Sequence, residues 1–128
     1  MEIYMRNIIK VFKTLADESR LRVLLILQER ECCVCEVMQA LDISQSKASR
    51  ILSALYDVGI LRLRKEGLWS LYSMNWEDMD KVLKDILETT ITSYKSNKQA
   101  LLDIERLRHA ERVGPGCVEK IRREKSGA

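Results

Sequence analysis

Apolar residues in the N-terminal third of the chain recur with the period of an α-helix, which predicts three successive helices. We place the first at residues 5–15, the second at 18–30 with Asp17 as its N-cap, and a short third at 33–41. Apolar side chains cover most of the circumference of the second helix, so we expect it to be central in the core.

The middle of the chain has the pattern of a helix-turn-helix followed by a hairpin. A tight turn is expected at residues 42–43, and Ser44 is the expected N-cap of a fourth helix that ends at Gly59. From residue 61 to 72 the apolar period changes to two, which predicts a β-hairpin. Asn75 is the expected cap of a helical region that runs to about residue 108, as one long helix or two. The fold class is therefore mainly α, a winged helix-turn-helix with a β-hairpin wing and flanking N- and C-terminal helices.

Composition narrows the class of protein. Hydrophobic residues make up 46% of the 128 positions, and with five glycines and one proline the chain favours helices over a turn-rich β fold. No apolar run is long enough to span a membrane, and the opening MEIYMRNIIK lacks the features of a secretory signal. We therefore expect a soluble cytoplasmic protein whose thiols are reduced.

The net charge of +3 is concentrated in the centre of the chain, which indicates a DNA footprint. Gln45 and Arg50, near the start of the fourth helix, can bond adenine and guanine, and neighbouring serines suit phosphate oxygens. The expected contacts with double-stranded operator DNA are Ser44, Gln45, Ser46, Lys47, Ser49 and Arg50 on the helix, and Arg62, Arg64 and Lys65 on the wing.

The terminal helices carry apolar stripes that can serve either a homodimer interface or the core of a single chain. The front stripe includes Ile3, Ile8 and Phe12, and the back stripe includes Met79, Val82, Leu83, Ile86, Leu87 and Ile91. Winged-helix proteins of this size usually read two half-sites as dimers, so we expect a homodimer. The predicted domains are a DNA-binding and dimerisation domain at residues 1–110 and a flexible basic tail at 111–128.

Three of the four cysteines lie together, at Cys32, Cys33 and Cys35. Clustered thiols in a reducing compartment are more often metal-binding or redox-active than disulfide-bonded. Soft thiolates select soft ions, and three sulfurs without a histidine suit the pyramidal coordination of trivalent arsenic or antimony. His109 is the only histidine, and we interpret it as an exposed helix residue rather than a ligand.

The position of the thiols at the start of the third helix is expected to lower their pKa values and to aid ligation. Cys32 and Cys35 would share one face of a regular helix, but Cys33 would point elsewhere. Either the first turn of the helix unwinds on ligation, or Cys117 supplies a ligand from the C-terminal region. Unwinding would distort the helix that supports the recognition helix, and so couple ligand binding to DNA release.

Several motifs in this order resemble the ArsR/SmtB family of metalloregulatory repressors. They are Leu15 to Arg22, Glu31 to Glu36, Ser44 to Arg50, Gly59 to Leu61 and Arg64 to Gly67, spread over a match from about residue 8 to 90. The resemblance implies a homodimeric winged-helix repressor, built around its first and last helices. It also implies that the repressor occupies its operator until a metal or metalloid binds.

Within that family, Cys33-Val34-Cys35-Glu36 is similar to the motif of the arsenic-sensing branch. This chain departs from the branch in two ways, because Met38 stands near where many members have a further cysteine, and Cys32 adds a thiol in front. The resemblance therefore implies arsenite or antimonite as an inducer bound at Cys33 and Cys35. From the thiol cluster itself we expect the full site to be Cys32, Cys33 and Cys35. The zinc branches need histidine on the last helix, and the cadmium and lead branch adds cysteines before this motif, neither of which is present here.

Alternative functions remain open at this point. A thiol redox sensor or a cadmium- or lead-responsive winged-helix regulator would use the same cysteines. A protein-interaction winged helix would need no DNA. An enzyme is not expected, since the sequence has neither a phosphate-binding loop nor a Cys-x-x-Cys beside a βαβ unit.

Overall fold

A computed structural model of the 128-residue chain describes residues 2–112, with side chains from residue 8 onward. The elements in chain order are α1 (Glu2–Leu15), α2 (Glu18–Glu29), α3 (Val34–Leu41), α4 (Gln45–Asp57), β1 (Leu61–Glu66), β2 (Trp69–Met74), a short 3-10 turn (Trp76–Asp78), α5 (Lys81–Tyr94) and α6 (Lys98–His109). This order confirms the predicted winged helix-turn-helix. No helix within residues 2–112 combines the length and apolar character that crossing a bilayer requires.

Three of the helix starts show how local sequence sets the element boundaries. The side chains of Asp17 and Ser44 accept hydrogen bonds from the backbone N–H groups of Arg20 (3.0 Å) and Lys47 (3.2 Å), which confirms both expected caps. The cap expected at Asn75 is wrong, because Asn75 begins only the 3-10 turn and its side chain makes no capping bond there. Asp80 caps α5 instead, accepting from the N–H of Leu83 at 2.9 Å.

The core is built around α2, as its apolar pattern predicts. Five consecutive residues of this helix, Val23 to Leu27, are buried, because neighbouring elements cover it on several sides. Helices α1, α3, α4 and α6 and strand β2 all contact it. The buried leucines of α4, Leu52 and Leu55, join this core, so one face of α4 is fixed against the interior.

The wing is a two-stranded antiparallel hairpin in which Leu61 pairs with Met74 and Glu66 pairs with Trp69. Its turn contains Gly67 at φ +60°, a left-handed conformation that glycine adopts without strain. A further antiparallel bridge joins Cys32 to Tyr72, through two backbone hydrogen bonds of 3.0 and 2.8 Å. The segment that leads into α3 is therefore paired directly with the wing.

Helix α6 turns back from α5 and lies against α2 and α3. Asn97 caps α6 with bonds to the N–H groups of Gln99 (2.9 Å) and Ala100 (3.2 Å), which explains why the helical region divides here. The fully buried Asp103 of α6 accepts two hydrogen bonds from Arg22 of α2, at 2.7 and 2.8 Å. This ion pair fixes α6 over the interior of the protein.

Candidate functional site

The start of α4 presents polar side chains on the outer surface of the helix-turn-helix. The turn is made by Asp42 in a left-handed conformation (φ 55°), and Ser44 then caps α4. Ser44, Gln45, Ser46, Lys47 and Arg50 are exposed, and Ser49 is half-buried. The opposite face of α4 is packed into the core. The geometry therefore leaves the predicted base-reading and phosphate-binding side chains accessible to a ligand as large as duplex DNA.

The cations of the wing are more constrained than those of α4. Arg62 donates to the hydroxyl of Ser73 (3.1 Å), and Lys65 donates to the hydroxyl of Ser70 (2.6 Å). Arg64 makes two hydrogen bonds to the carboxylate of Glu31, at 2.8 and 2.6 Å, and a second ion pair, to Glu66, at 2.9 Å. These carboxylates raise the pKa of Arg64 and compensate its charge. Arg64 would have to exchange these partners to contact a phosphate.

The structure separates the three clustered thiols into two groups. Cys33 and Cys35, which are 4% and 1% exposed, pack together with Leu71 and Trp69 of the wing. Cys32 faces the other way, into the main hydrophobic core. Alternate residues of an extended segment point to opposite faces, which explains why Cys32 and Cys33 diverge. Within residues 8–112, no three His, Cys, Asp or Glu side chains are arranged to hold a metal ion as they stand.

Burial changes the acidity of these thiols in the direction opposite to the one expected from sequence. Desolvation raises the pKa of Cys33 above its ordinary value, and it raises the pKa of Cys32 to about 12. The nearby carboxylate of Glu36 acts in the same direction on both thiols. The expectation of lowered thiol pKa values is therefore wrong for these two residues, since desolvation outweighs the field of the short helix α3.

A buried carboxylate stands beside the thiol pair. Glu36, which is 2% exposed, accepts a hydrogen bond from the backbone N–H of Cys33 at 3.0 Å and so forms a capping box at the start of α3. It also pairs with Arg30, the residue that follows α2, and with Arg112, whose Nε lies 2.9 Å from Glu36 Oε1. Burial raises the pKa of Glu36, but these hydrogen bonds outweigh it and hold the pKa below its ordinary value.

The residues that follow α6, 110–112, lie along α3, and we call them the C-terminal strap. The side chain of Gln39 makes two hydrogen bonds to the backbone of Glu111, donating to its oxygen (2.9 Å) and accepting from its N–H (3.1 Å). Cys35 Sγ lies 4.0 Å from the same Glu111 oxygen. Two residues of the predicted tail thus contact the thiol end of α3. Cys117 lies outside the described residues.

Sequence reasoning missed most of the groups that surround the thiols. Trp69 and Tyr72 are identifiable as wing residues from the alternating pattern. Arg112 has no local signal, because it meets Glu36 across 76 positions of chain. His109 is the last residue of α6, so the expectation that the last helix carries no histidine is wrong. It is exposed and lies 3.2 Å from Glu105, in agreement with its interpretation as a surface residue.

The apolar stripes of the terminal helices are divided between core and surface. Leu83, Leu87 and Ile91 of α5 are buried within the chain. Phe12 and Val82 remain 51% and 48% exposed. Ile3 lies among residues whose side chains are outside the description.

Comparison with known proteins identifies the family. The family model described as "Bacterial regulatory protein, arsR family" matches residues 17–68. The arsenic resistance transcriptional regulator ArsR1 of Pseudomonas putida is 44% identical over 92 residues, which span 66% of this chain and 72% of that protein. The arsenical resistance operon repressor of Escherichia coli is 48% identical over 68 residues, covering 52% of this chain and 58% of its own length.

Solved structures agree with this assignment. HlyU from Vibrio cholerae matches with a TM-score of 0.62 at 29% identity, covering 73% of this chain and 98% of that one. A homodimeric winged helix-turn-helix DNA-binding domain from Mycobacterium bovis, described as a possible ArsR-family regulator, matches with a TM-score of 0.62 at 25% identity. That match covers 76% of this chain and 87% of the other. The chain therefore belongs to the ArsR family of DNA-binding transcriptional repressors and is a regulator rather than an enzyme.

Proposed function

We propose that this protein is a homodimeric repressor that leaves its operator when trivalent arsenic or antimony binds thiolates at the start of α3. The observation that carries this proposal is the packing of Cys33 and Cys35 against Leu71 and Trp69 of the wing. A ligand bound to this thiol pair would displace side chains of a DNA-contacting element directly. The relatives described as arsenic resistance regulators support the choice of ligand.

The DNA-contacting surface would consist of the exposed residues of α4 and the wing. Within residues 8–112, neither Lys47 nor Arg50 takes part in an ion pair, so both can neutralise phosphate or read a guanine edge. Gln45 and Ser46 would contact base edges, and Ser44 and Ser49 would contact the backbone. Arg62, Arg64 and Lys65 would follow the flanking phosphates from the wing.

Dimerisation would use the exposed apolar part of the terminal helices. Ile9, Phe12 and Val82 are each about half exposed, and covering them with a second copy would remove apolar surface from water. The homodimeric M. bovis domain supports this arrangement. A two-fold dimer would place two α4 helices in successive major grooves of one operator.

The raised thiol pKa values favour a neutral metalloid over a divalent cation. Arsenite near pH 7 is a neutral trihydroxide, and each thiol that replaces a hydroxide gives one As–S bond and one water, with no proton released. A divalent ion such as Cd²⁺ must displace the thiol proton into solvent, which costs more when burial has raised the pKa. The free-energy cost of thiol deprotonation therefore separates the two ligand classes most strongly when the thiols are buried, as Cys33 and Cys35 are.

A third sulfur is needed for pyramidal coordination, and we assign it to Cys32. To join Cys33 and Cys35, the Cys32 side chain must leave the main core, and its backbone bridge to Tyr72 must break. Binding would therefore detach the lead-in to α3 from the wing. A coupling of about 1–3 kcal/mol is typical for allosteric regulators, and one broken bridge with loss of core packing is of that order. Cys117 remains the other candidate for the third sulfur.

The proposal is tested by fluorescence anisotropy of a labelled upstream DNA fragment, titrated with arsenite under a strong reductant. We expect Cys33→Ser and Cys35→Ser to bind DNA normally and to lose most of the arsenite response. Cys32→Ser should retain weaker release, because two sulfurs remain. Undiminished release from Cys33→Ser or Cys35→Ser would refute the assignment of the thiol pair.

A redox sensor built on the same thiols is disfavoured by their environment. Peroxide oxidises thiolates, and burial keeps Cys32 and Cys33 protonated near pH 7. We therefore expect peroxide to release the DNA far more slowly than arsenite does in the same assay. Rapid release by peroxide, with no response to arsenite, would favour the redox function instead.

A further inference from the structure

The thiol pair is closed from two sides, and a ligand must pass one of them. Cys33 and Cys35 are almost fully buried, so the closed structure offers no path for a ligand to the sulfurs. Leu71 and Trp69 of the wing cover one side. The C-terminal strap contacts Cys35 on another side, where the Glu111 oxygen lies 4.0 Å from Cys35 Sγ.

The wing is the more firmly held of these two covers. Strand β2 is paired with β1 along its whole length and with Cys32 through the additional bridge at Tyr72. Leu71 is fully buried. Opening this side would break backbone pairing and expose apolar surface together, so its free energy of opening is high.

The strap is held mainly by polar contacts. Gln39 binds the backbone of Glu111 at two points, and Arg112 donates to Glu36 Oε1 (2.9 Å) and to the backbone oxygen of Glu31 (3.4 Å). Glu111 is exposed and Arg112 is only half-buried. Segments with few buried apolar contacts open at the lowest free energy in a protein. The strap is therefore the side that opens first.

We propose that the C-terminal strap is a gate over the thiol pair, and that Arg112 is the residue that holds it closed on Glu36. The identity of the ligand that passes the gate rests on the proposed function, whereas the gate itself rests on the contacts of the strap. Arg112 donates to Glu36 and to the backbone of Glu31 rather than to a sulfur, so it acts as a positioning residue. When the strap opens, Glu36 keeps Arg30 and the Cys33 N–H as partners, which allows α3 to stay folded while the thiols become accessible.

The gate is tested by the rate at which N-ethylmaleimide labels the full-length protein at pH 8, with each cysteine resolved by fragment mass spectrometry. We expect Arg112→Ala to speed labelling of Cys33 and Cys35 about tenfold, since it removes two hydrogen bonds that close the strap. Gln39→Ala removes two others, but it also removes the bond that Gln39 donates to Cys35 Sγ (3.3 Å). In that variant Cys33 is therefore the reporter, and we expect it to be labelled about tenfold faster. Arg108→Ala is the matched control, because Arg108 also lies near the C-terminal end of α6 but, among residues 8–112, pairs only with Glu105, at 2.9 Å. Its labelling rates should equal those of the unmodified protein.

Cys32 serves as an internal reference for unfolding, because it lies in the main core and not under the strap. If Cys32 is labelled faster in parallel with Cys33 and Cys35, the variants loosen the whole domain and the gate is refuted. Unchanged labelling in both strap variants refutes it as well.

Arsenite association, followed by the absorbance of the As–S bonds, separates the gate from the proposed function. Faster arsenite association in Arg112→Ala supports both the gate and the assignment of arsenite as the inducer. Faster maleimide labelling in a protein that binds no arsenite keeps the gate and overturns the inducer assignment.

Discussion

Arg64 of the wing and Glu31, the residue before Cys32, form a two-point ion pair with distances of 2.8 and 2.6 Å. The pair joins the wing to the segment that leads into α3. Arg64 is also one of the cations that the sequence predicts to contact DNA. In the proposed DNA complex, a phosphate and the Glu31 carboxylate would therefore compete for the same guanidinium.

Replacing this carboxylate should strengthen DNA binding. We expect Glu31→Gln to raise DNA affinity several-fold at low salt and to steepen the slope of log K against log salt by about one. Arg64 then loses its two-point partner and keeps the exposed Glu66, which a phosphate displaces more easily. Fluorescence anisotropy over a range of salt concentrations measures both quantities. Glu29→Gln removes one exposed negative charge close by and is the matched control. An equal gain in that control would show a general charge effect rather than release of Arg64.

The buried ion pair of α6 should contribute strongly to stability. Asp103→Asn leaves Arg22 without its counter-charge in a largely enclosed position, and we expect the free energy of unfolding to fall by about 3 kcal/mol. Urea denaturation followed by circular dichroism gives this value. The control is Glu105→Gln, which removes an exposed carboxylate of the same helix and should leave the urea midpoint almost unchanged. Similar losses in the two variants would contradict the role assigned to Asp103.

Glu36 should make the protein sensitive to acid. Its pKa is lower in the folded protein than the ordinary value of 4.5, so its contribution to stability is fully present above that value and is lost as pH falls below it. We therefore expect Glu36→Gln to flatten the decline of the urea midpoint between about pH 5 and 3. Glu88→Gln, at an exposed position of α5, should retain the full decline. A decline of unchanged steepness in Glu36→Gln would show that Glu36 is not acidified by its partners.

The two classes of inducer should differ in their pH dependence. Arsenite should release DNA with nearly the same midpoint from about pH 6.5 to 8, because its ligation exchanges hydroxide for thiol without releasing protons. The affinity for Cd²⁺ should rise about tenfold per pH unit for each thiol proton displaced. Both are measured with the same labelled DNA. A steep pH dependence for arsenite would mean that the thiols bind as preformed thiolates, contrary to the effect of burial on Cys33.

Much of the fold was predictable because the signals are local. The caps at Asp17 and Ser44 and the change of apolar period at residue 61 each lie within one element, and the structure agrees with all three. The prediction that Asn75 caps a long helix was wrong because a second residue with a capping side chain, Asp80, follows five positions later. Asp80 is the N-cap of the longer helix, α5.

The environment of the thiols was much harder to predict from the sequence. The orientation of Cys32 depends on its bridge to Tyr72, 40 positions later. The strap meets Gln39 and Glu36 across 72 and 76 positions. Burial, which controls the thiol pKa values, arises only when these distant segments come together.

The break at Asn97 divides the C-terminal helical region into α5 and α6, and α6 reverses direction to lie against α2 and α3. Because α6 folds back over α2 and α3, the strap that covers one side of the sulfurs comes after α4 and the wing in the chain. Under the proposed function, substitutions after residue 97 would change the sensitivity to the inducer and leave the DNA sequence preference unchanged. Inducer sensitivity and operator choice could then evolve independently.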